Sequence, residues 1–459
     1  MLPVVTPEEM AAVDAAAPEP VEVLVGRAGA ATAREALRLL GGTYGRRVLV
    51  VAGKGNNGAD GRDAGARLAR RGVRVQVVPA ESAGSAIAGP YRPHLVIDAA
   101  YGTGFRGSYE APAGLGDVPV LAVDIPSGVA GLTGVVSGTP LAARRTVTFA
   151  ALKPGLLFPP GRALAGELVL ADIGLDVSGA RIGLIERPDV AAWVPPRAVT
   201  AHKWQAAVVL VAGSPGMTGA AHLAARSAQR SGAGMVRVAT PGLAVDPGLP
   251  TEAVGVPGVD ADHWEQVVAD QLDRAGALVV GPGLGTAAGT AERVRRLVAG
   301  APQVPLLVDG DGLTALGSKA AEVLAGRQVP VVLTPHDGEF ARLAGSPPGD
   351  DRIASARDLA ARVGAVVLLK GPTTVIAHPD GRVRLSTEGD ARLATAGTGD
   401  VLSGCVGALL SRGLTPFDAA SAGAHLHGAA AKDGPAEGLV ATDVITHLPT
   451  ALADLRESR

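Results

Sequence analysis

Near its C-terminal end the chain reads Leu393-Ala394-Thr395-Ala396-Gly397-Thr398-Gly399-Asp400 and continues in an apolar run of Val401, Leu402, Cys405, Val406, Leu409 and Leu410. Small residues ahead of a helix let its first N–H groups converge on one point, which makes an anion site. Asp400 stands in that site. A carboxylate is a poor neighbour for a phosphate if binding is the only purpose, because like charges repel. As a general base it fits. Asp400 could take a proton from a hydroxyl while the N–H groups of Gly397, Thr398 and Gly399 hold charge on a phosphoryl group moving onto that oxygen. An ordinary glycine turn capped by Asp has the same letters, so the surrounding elements must decide.

Those elements repeat one pattern. Residues 207–212 form an apolar strand, 213–219 a glycine-rich turn, 220–231 a helix and 235–239 the next strand. Further buried strands run into Gly281-Pro282-Gly283-Leu284-Gly285, Asp309-Gly310-Asp311-Gly312, Thr334-Pro335-His336-Asp337-Gly338-Glu339 and Lys370-Gly371-Pro372-Thr373-Thr374. Each puts small or polar residues at the carboxyl end of an apolar strand, where ligands of open parallel sheets lie. Residues 375–377 and 382–385 read as a hairpin around Pro379-Asp380-Gly381. Strand, hairpin and glycine-led helix in this order are the arrangement of a ribokinase-like fold, with a nucleotide along the hairpin.

The first half has its own such architecture. Residues 6–45 read as largely helical, with Thr6 as N-cap and a break at Pro18 to Pro20. The strand 47–52 then leads into Gly53-Lys54-Gly55-Asn56-Asn57-Gly58-Ala59-Asp60-Gly61, read as a glycine-rich turn before a helix and a strand at 73–78. That is a βαβ unit whose turn could face a nucleotide. Two more strands end in Asp98, ahead of Tyr101-Gly102-Thr103-Gly104-Phe105-Arg106-Gly107, and in Asp124-Ile125-Pro126-Ser127-Gly128. Asn56, Asn57, Asp98 and Ser127 are hard oxygen donors, suited to an alkali or alkaline-earth cation better than to zinc.

Bulk properties bound the answer. At 459 residues the chain is long enough for two or three domains, and 47% hydrophobic against 19% charged residues favours large cores. A net charge of -2 and 3% aromatic residues give no footprint for nucleic acid. The single cysteine, Cys405, points to a reducing cytoplasm, and no apolar run reaches the length of a membrane span. Arginine is preferred throughout; lysine occurs only at 54, 153, 203, 319, 370 and 432. The linker candidate is Trp193 to Thr200, which carries Pro195-Pro196.

The motifs resemble known families. Gly53 to Gly61, Asp98 with Gly102 to Gly107, Asp124 to Gly128, and Thr146-Val147-Thr148-Phe149 followed by Lys153-Pro154-Gly155 resemble the NAD(P)H-hydrate epimerase domain over most of residues 1–190. The resemblance implies a Rossmann-like domain that interconverts R and S forms of hydrated NAD(P)H. It implies a potassium ion held by Asn57, Asp98 and Ser127. It implies substrate contacts from Asn56, Asn57, Gly58, Ala59, Asp60, Gly102, Thr103, Gly104, Phe105, Arg106, Gly107 and the catalytic Asp124. The family usually has a glycine where Ala59 stands and a Glu-Asn pair where Gly26-Arg27 stand.

His202-Lys203, Gly216-Met217-Thr218-Gly219-Ala220, Arg230 to Gly234, Gly281 to Gly285, Thr334-Pro335-His336, Lys370-Gly371 and Ala394 to Gly404 resemble the ADP-dependent NAD(P)H-hydrate dehydratase. The implied reaction is phosphorylation of the C6 hydroxyl of the S hydrate by ADP with magnesium, followed by loss of phosphate. Asp400 is then catalytic, Lys370 to Thr374 and Gly397 to Gly399 hold the nucleotide, and Ala220, Gly283 and His336 contact the hydrate. Trp204 and Asp390 depart from the family's glycine and asparagine. His425 and His427 read as packing or surface residues.

The expectation is therefore an α/β protein with a Rossmann-like domain at 1–193 and a ribokinase-like domain at 194–459. It is expected to act on small molecules as a cytoplasmic homo-oligomer, without nucleic acid or membrane partners. The competing reading is a ribokinase-like kinase of vitamin precursors with a non-catalytic N-terminal binding domain.

Overall fold

The structure is a computed structural model that describes residues 1–83, 91–260, 262–300, 304–329 and 331–457. Two compact units emerge, Leu2–Ile182 and Gly183–Arg459 with Met1. The expected linker lies C-terminal to this division. Residues Arg187–Trp193 form a helix, and Val190, Ala191 and Val194 belong to the core of the second unit.

The first unit is built on six parallel strands. β1 (Arg47–Ala52), β2 (Arg74–Pro79), β3 (Leu95–Ala99), β4 (Val120–Val123), β5 (Arg145–Phe149) and β6 (Glu167–Ala171) lie in the order β2-β1-β3-β4-β5-β6. The central strands are apolar on both faces because helices cover both. The helix α1 (Pro7–Ala15) begins with a capping box in which Thr6 and Glu9 satisfy each other's backbone N–H. α2 (Val21–Leu40) ends where Gly41 turns to φ +66°.

The predicted turn from Gly53 to Gly61 is shorter than expected, since α3 (Asn56–Arg70) already starts at Asn56. The glycines serve close packing instead. A Cβ on Gly53 would lie 1.9 Å from the Ala100 carbonyl oxygen, and one on Gly58 would lie 2.0 Å from that of Gly53. Ala59 sits inside the helix, its N–H on the Gly55 carbonyl at 3.1 Å, so alanine fits where the family has glycine.

In the second unit the strands are β7 (Ala207–Val211), β8 (Met235–Ala239), β9 (Val254–Gly255), β10 (Ala277–Val280), β11 (Leu306–Val308), β12 (Val331–Leu333), β13 (Val366–Leu369), β14 (Thr374–Ala377) and β15 (Val383–Ser386). They run across the sheet as β15-β14-β13-β12-β11-β10-β7-β8-β9. All are parallel from β13 to β9, and β14 and β15 form the expected antiparallel hairpin. The helices that position the site are α4 (Thr218–Arg230), α5 (Asp337–Ala344), α6 (Arg352–Val363), α7 (Thr398–Ser411), α8 (Pro416–Lys432) and α9 (Ala441–Asp454). α7 is buried on every side from Val401 to Ser411, and Cys405 is fully enclosed there. Among the described residues no helix is long and apolar enough to cross a membrane.

Gly53→Ala provides a test of this packing. With carbonyl oxygen at 1.9 Å the new methyl forces backbone movement, and the first unit is expected to lose about 2–4 kcal/mol. Calorimetry should show the melting transition of that unit fall while the other transition stays.

Candidate active sites

At the carboxyl end of the first sheet lies a cavity of about 630 Å³ lined by residues that follow β1, β3 and β4 together with α1 and α2. Asn56, Asn57, Asp60, Gly102, Thr103, Gly104, Phe105 and Asp124 all face it, so most of the residues expected at one site do meet there. Gly58, Ala59, Arg106 and Gly107 are not among its lining residues. Gly58 and Ala59 are placed inside α3, and the Arg106 guanidinium lies at the surface against its neighbour's carbonyl.

Asp98 and Ser127 form a buried cluster beside it. The Ser127 N–H and hydroxyl donate to the two Asp98 oxygens at 2.9 and 2.7 Å, and the Ser127 oxygen accepts the Tyr101 N–H at 2.9 Å. Asp98 is wholly buried, and burial pushes its carboxyl above the usual range. Both side-chain polar atoms of Asn57 are buried without a partner. Asn57 touches the position of Gly102, where a Cβ would sit 3.4 Å from its own Cβ and 3.7 Å from Asp124 Oδ2.

Asp124 carries the main electrostatic feature. It adopts φ +66°, unusual for a residue with a side chain. Its Oδ1 accepts Lys153 Nζ at 2.5 Å and the Thr148 hydroxyl at 3.1 Å. Lys153 is 1% exposed and spends its other donors on Thr148 and the Phe149 carbonyl. Neither Lys153 nor Thr148 was expected to be functional, although a lysine retained in an arginine-rich chain was a signal. Asp60 lies in the same cavity and is pushed up to about 8, first by burial and then by the Asp124, Asp63 and Asp14 carboxylates, with Lys153 opposing.

The departure at 26–27 leaves this cavity intact. A Cβ on Gly26 would face Arg67 at 3.7 Å, on the α3 side, and Arg27 donates to the Ile173 carbonyl at 2.7 Å and to Glu19 at 3.1 Å.

In the second unit the glycine loop ahead of α7 takes the backbone form its sequence implied. Gly397 takes φ +88° as N-cap of α7, packed so closely that a Cβ would lie 2.5 Å from Leu223 and 3.2 Å from Ala441. The Thr398 hydroxyl ties the loop by donating to the Leu393 and Thr395 carbonyls at 2.8 and 2.9 Å. Beside Gly399 stand Lys370 Nζ and Asp309 Oδ2, 3.7 and 3.9 Å from a Cβ built there.

Lys370 donates to Asp309 at 2.9 Å and lies 3.5 Å from Glu339; Asp309 also accepts the Ser403 hydroxyl at 2.6 Å. Burial raises Asp309, but Lys370 and Ser403 outweigh it and hold the carboxyl below its usual range. Burial pulls Lys370 down, and Asp309 and Glu339 more than restore it. Among the described residues Asp400 has no such donor. Burial lifts it to about 7, helped by Asp309, Asp311 and Glu339 and opposed by Lys370. A carboxyl with that value is half ionised near neutral pH.

Of the other expected residues, Ala220 and Gly283 meet: a Cβ on Gly283, at φ +62°, would lie 2.6 Å from the Ala220 methyl. That loop is fixed by Asp311, which accepts the Gly285 N–H at 2.7 Å. His336 caps α5 through Nδ1, which accepts the Gly338 N–H at 3.0 Å, while its other nitrogen lies 3.5 Å from Glu339. Gly371 is small because Arg352, which donates to the Lys370 carbonyl at 2.9 Å, crosses it. Pro372, Thr373 and Thr374 carry the chain into β14, with Thr373 buried.

Asp309 and Glu339 are the groups that sequence reasoning left out; their place after parallel strands was the available signal. Asp390 is structural, accepting the Arg392 N–H at 3.0 Å and pairing with its guanidinium, and Trp204 lies under Arg274 at 5.4 Å. His425 and His427 are buried in α8, and burial pushes His427 down to about 4.

Comparison with known proteins places both units in a family. Residues 208–453 match a profile for NAD(P)H-hydrate dehydratase, and residues 21–88 and 79–155 match one for the N-terminus of YjeF-related proteins. The bifunctional NAD(P)H-hydrate repair enzyme Nnr of Mycobacterium leprae is 39% identical over 95% of this chain and 96% of its own. That of Salinibacter ruber is 38% identical over 89% and 87%. The chain belongs to the bifunctional NAD(P)H-hydrate repair family.

Both units are α/β, as expected, and the second has a solved counterpart. The ADP/ATP-dependent NAD(P)H-hydrate dehydratase from Bacillus subtilis, co-crystallized with ATP/Mg2+, superposes with a TM-score of 0.52. It is 33% identical and covers 60% of this chain and 98% of its own.

Two outcomes follow from the site electrostatics. Because the Asp400 carboxyl is raised, its ionisation on the folded protein costs stability as pH climbs from about 4 to about 7. Asp400→Asn should therefore be more stable than the parent at pH 8, on the order of 2 kcal/mol with partial exposure discounted, and equal to it at pH 4, as melting curves would show. Lys153→Met strands Asp124 without its cation and should destabilise the first unit by about 3–5 kcal/mol in the same measurement.

Proposed function

We propose that this repair-family enzyme carries both activities. The first unit interconverts the R and S forms of hydrated NAD(P)H, and the second converts the S form to NAD(P)H with ADP, giving AMP and phosphate. The observation that carries the reading is Asp400, raised to about 7 beside the anion loop and the Lys370–Asp309 pair.

In the dehydratase reaction Asp400 takes the proton of the C6 hydroxyl as its oxygen attacks the terminal phosphoryl group of ADP. The N–H groups from Gly397 to Gly399 and the Lys370 ammonium hold the charge that develops on the transferring oxygens. Ring nitrogen N1 then pushes out the C6 phosphate, and loss of the C5 proton restores the dihydropyridine. Lys370 to Thr374 hold the nucleotide, with Ala220, Gly283 and His336 on the hydrate side. Asp309, Asp311 and Glu339 place negative charge near Asp400, and magnesium would come with the ADP phosphates.

For the epimerase, C6 is a hemiaminal carbon whose hydroxyl leaves when protonated. Asp60, near 8, carries that proton at neutral pH. Asp124, held by Lys153, receives a proton from the water that adds to the other face. Asn57, Asp98 and Ser127 suit potassium, because Asp98 is a buried carboxylate with no ion pair among the described residues and both polar side-chain atoms of Asn57 are buried without partners. The ion would offset the Asp98 charge and fix Asn57 beneath the substrate. The cytoplasm, with its reducing poise, is the compartment we assign, and a homo-oligomer the state.

The deciding experiment follows absorbance at 340 nm after adding the protein, magnesium and ADP to an equilibrated mixture of R and S NADH hydrates. Complete recovery of NADH, faster than the hydrates epimerise alone, is expected. Asp400→Asn should slow recovery by about 10²–10⁴-fold. Recovery that stops at the S fraction would remove the epimerase activity, and no ADP-dependent recovery would favour a vitamin-precursor kinase.

A further inference from the structure

We propose that Asp14 on α1 is a catalytic carboxylate of the epimerisation site, the counter-charge for the cationic ring formed when the C6 hydroxyl departs. This rests on the epimerase reading above and deepens it. Asp14 faces the same cavity as Asp60 and Asp124, yet it comes from the N-terminal helix rather than from the strand ends.

Its placement is built into the fold. Pro3 and Val5, just ahead of α1, exchange backbone hydrogen bonds with Leu152 at 2.9 Å each, directly beside Lys153. The Thr6 and Glu9 capping box then sets the helix direction, and buried Met10 anchors its inner face. Asp14 follows Met10 by four residues, so it lies on that same face one turn on. No hydrogen bond or ion pair within the chain engages its carboxylate among the described residues. Asp14 is exposed as well as lining the cavity, so its carboxylate meets solvent until a ligand fills that space, and the helix that carries it is pinned at its start.

The chemistry needs such a charge. When the C6–O bond breaks, its electron pair leaves with the oxygen, the Asp60 proton joins that oxygen to form water, and the N1 lone pair closes an N1=C6 bond. The ring is then a cation. Water returns to the opposite face of C6, the pair flows back to N1, and one proton of that water is handed on to a carboxylate. Asp124 is already offset by Lys153, and Asp60 begins protonated. Asp60 becomes an anion only as it gives up that proton, and Asp14, which feels Lys153 through space but forms no ion pair with it among the described residues, adds a further negative charge at the cavity. Position 26 offers no substitute, since it faces Arg67.

The test uses the full chain, whose second unit serves as internal control. Conversion of purified R hydrate to S, and ADP-dependent dehydration of purified S hydrate, are measured for the parent, Asp14→Asn and Asp14→Glu. Asp14→Asn should lower kcat for epimerisation by about 10–100-fold with KM changed less than about twofold. Dehydration and melting temperature should stay at parental values, and Asp14→Glu should recover part of kcat. Parental epimerisation in Asp14→Asn, a loss in KM alone, or a Glu variant as slow as the Asn variant would overturn the role. A parent that dehydrates S but never converts R would instead overturn the epimerase reading itself.

Discussion

Each unit of this protein depends on a lysine, buried in the first and partly buried in the second, held against an aspartate at the carboxyl end of its sheet. Lys153 meets Asp124 at 2.5 Å and Lys370 meets Asp309 at 2.9 Å. Taking such charges out of water costs several kcal/mol for each ion, and only close geometry with further hydrogen bonds offsets it. The structure supplies those bonds. Thr148 and the Phe149 carbonyl complete Lys153, and Ser403 completes Asp309. With the lysines committed, neighbouring carboxylates find no cation of their own. Burial above all, with the surrounding carboxylates, lifts Asp60 and Asp400 into the neutral range against the pull of those lysines, so a proton can be held or taken there.

The parallel sheets explain why this can be done twice. Continuous apolar strands bury their own backbone, and polar residues are admitted only where strands stop. Every loop after a strand therefore opens toward one edge. In the first unit the sheet order turns at β1, so the loops after β1 and β3 face each other across Gly53 and Gly102. In the second it turns at β7, next to β10, and the Gly283 loop meets Ala220.

Much of this was legible in the residues. Strands, hairpin, anion loop and Asp400 were marked by local pattern, because apolar runs and glycine spacing act over a few positions. What could not be read was long-range pairing. Asp309 and Lys370 are 61 residues apart, and nothing local says that one neutralises the other. Lys153 reads as part of the motif Lys153-Pro154-Gly155, and nothing in that spacing marks Asp124 as its partner. The start of α3 was misjudged for a similar reason. Gly58 reads as turn chemistry in one dimension and as a close backbone contact in three.

The enclosure of Cys405 in the middle of α7 has a practical meaning. Its thiol is the sole sulfhydryl in the chain, and burial pushes it up to about 11. A thiol in that state forms almost no thiolate and has no route to solvent, so peroxides and alkylating reagents meet no target. The native chain is in effect silent to thiol chemistry. A single cysteine introduced at the surface would be the only place where a maleimide dye or spin label attaches.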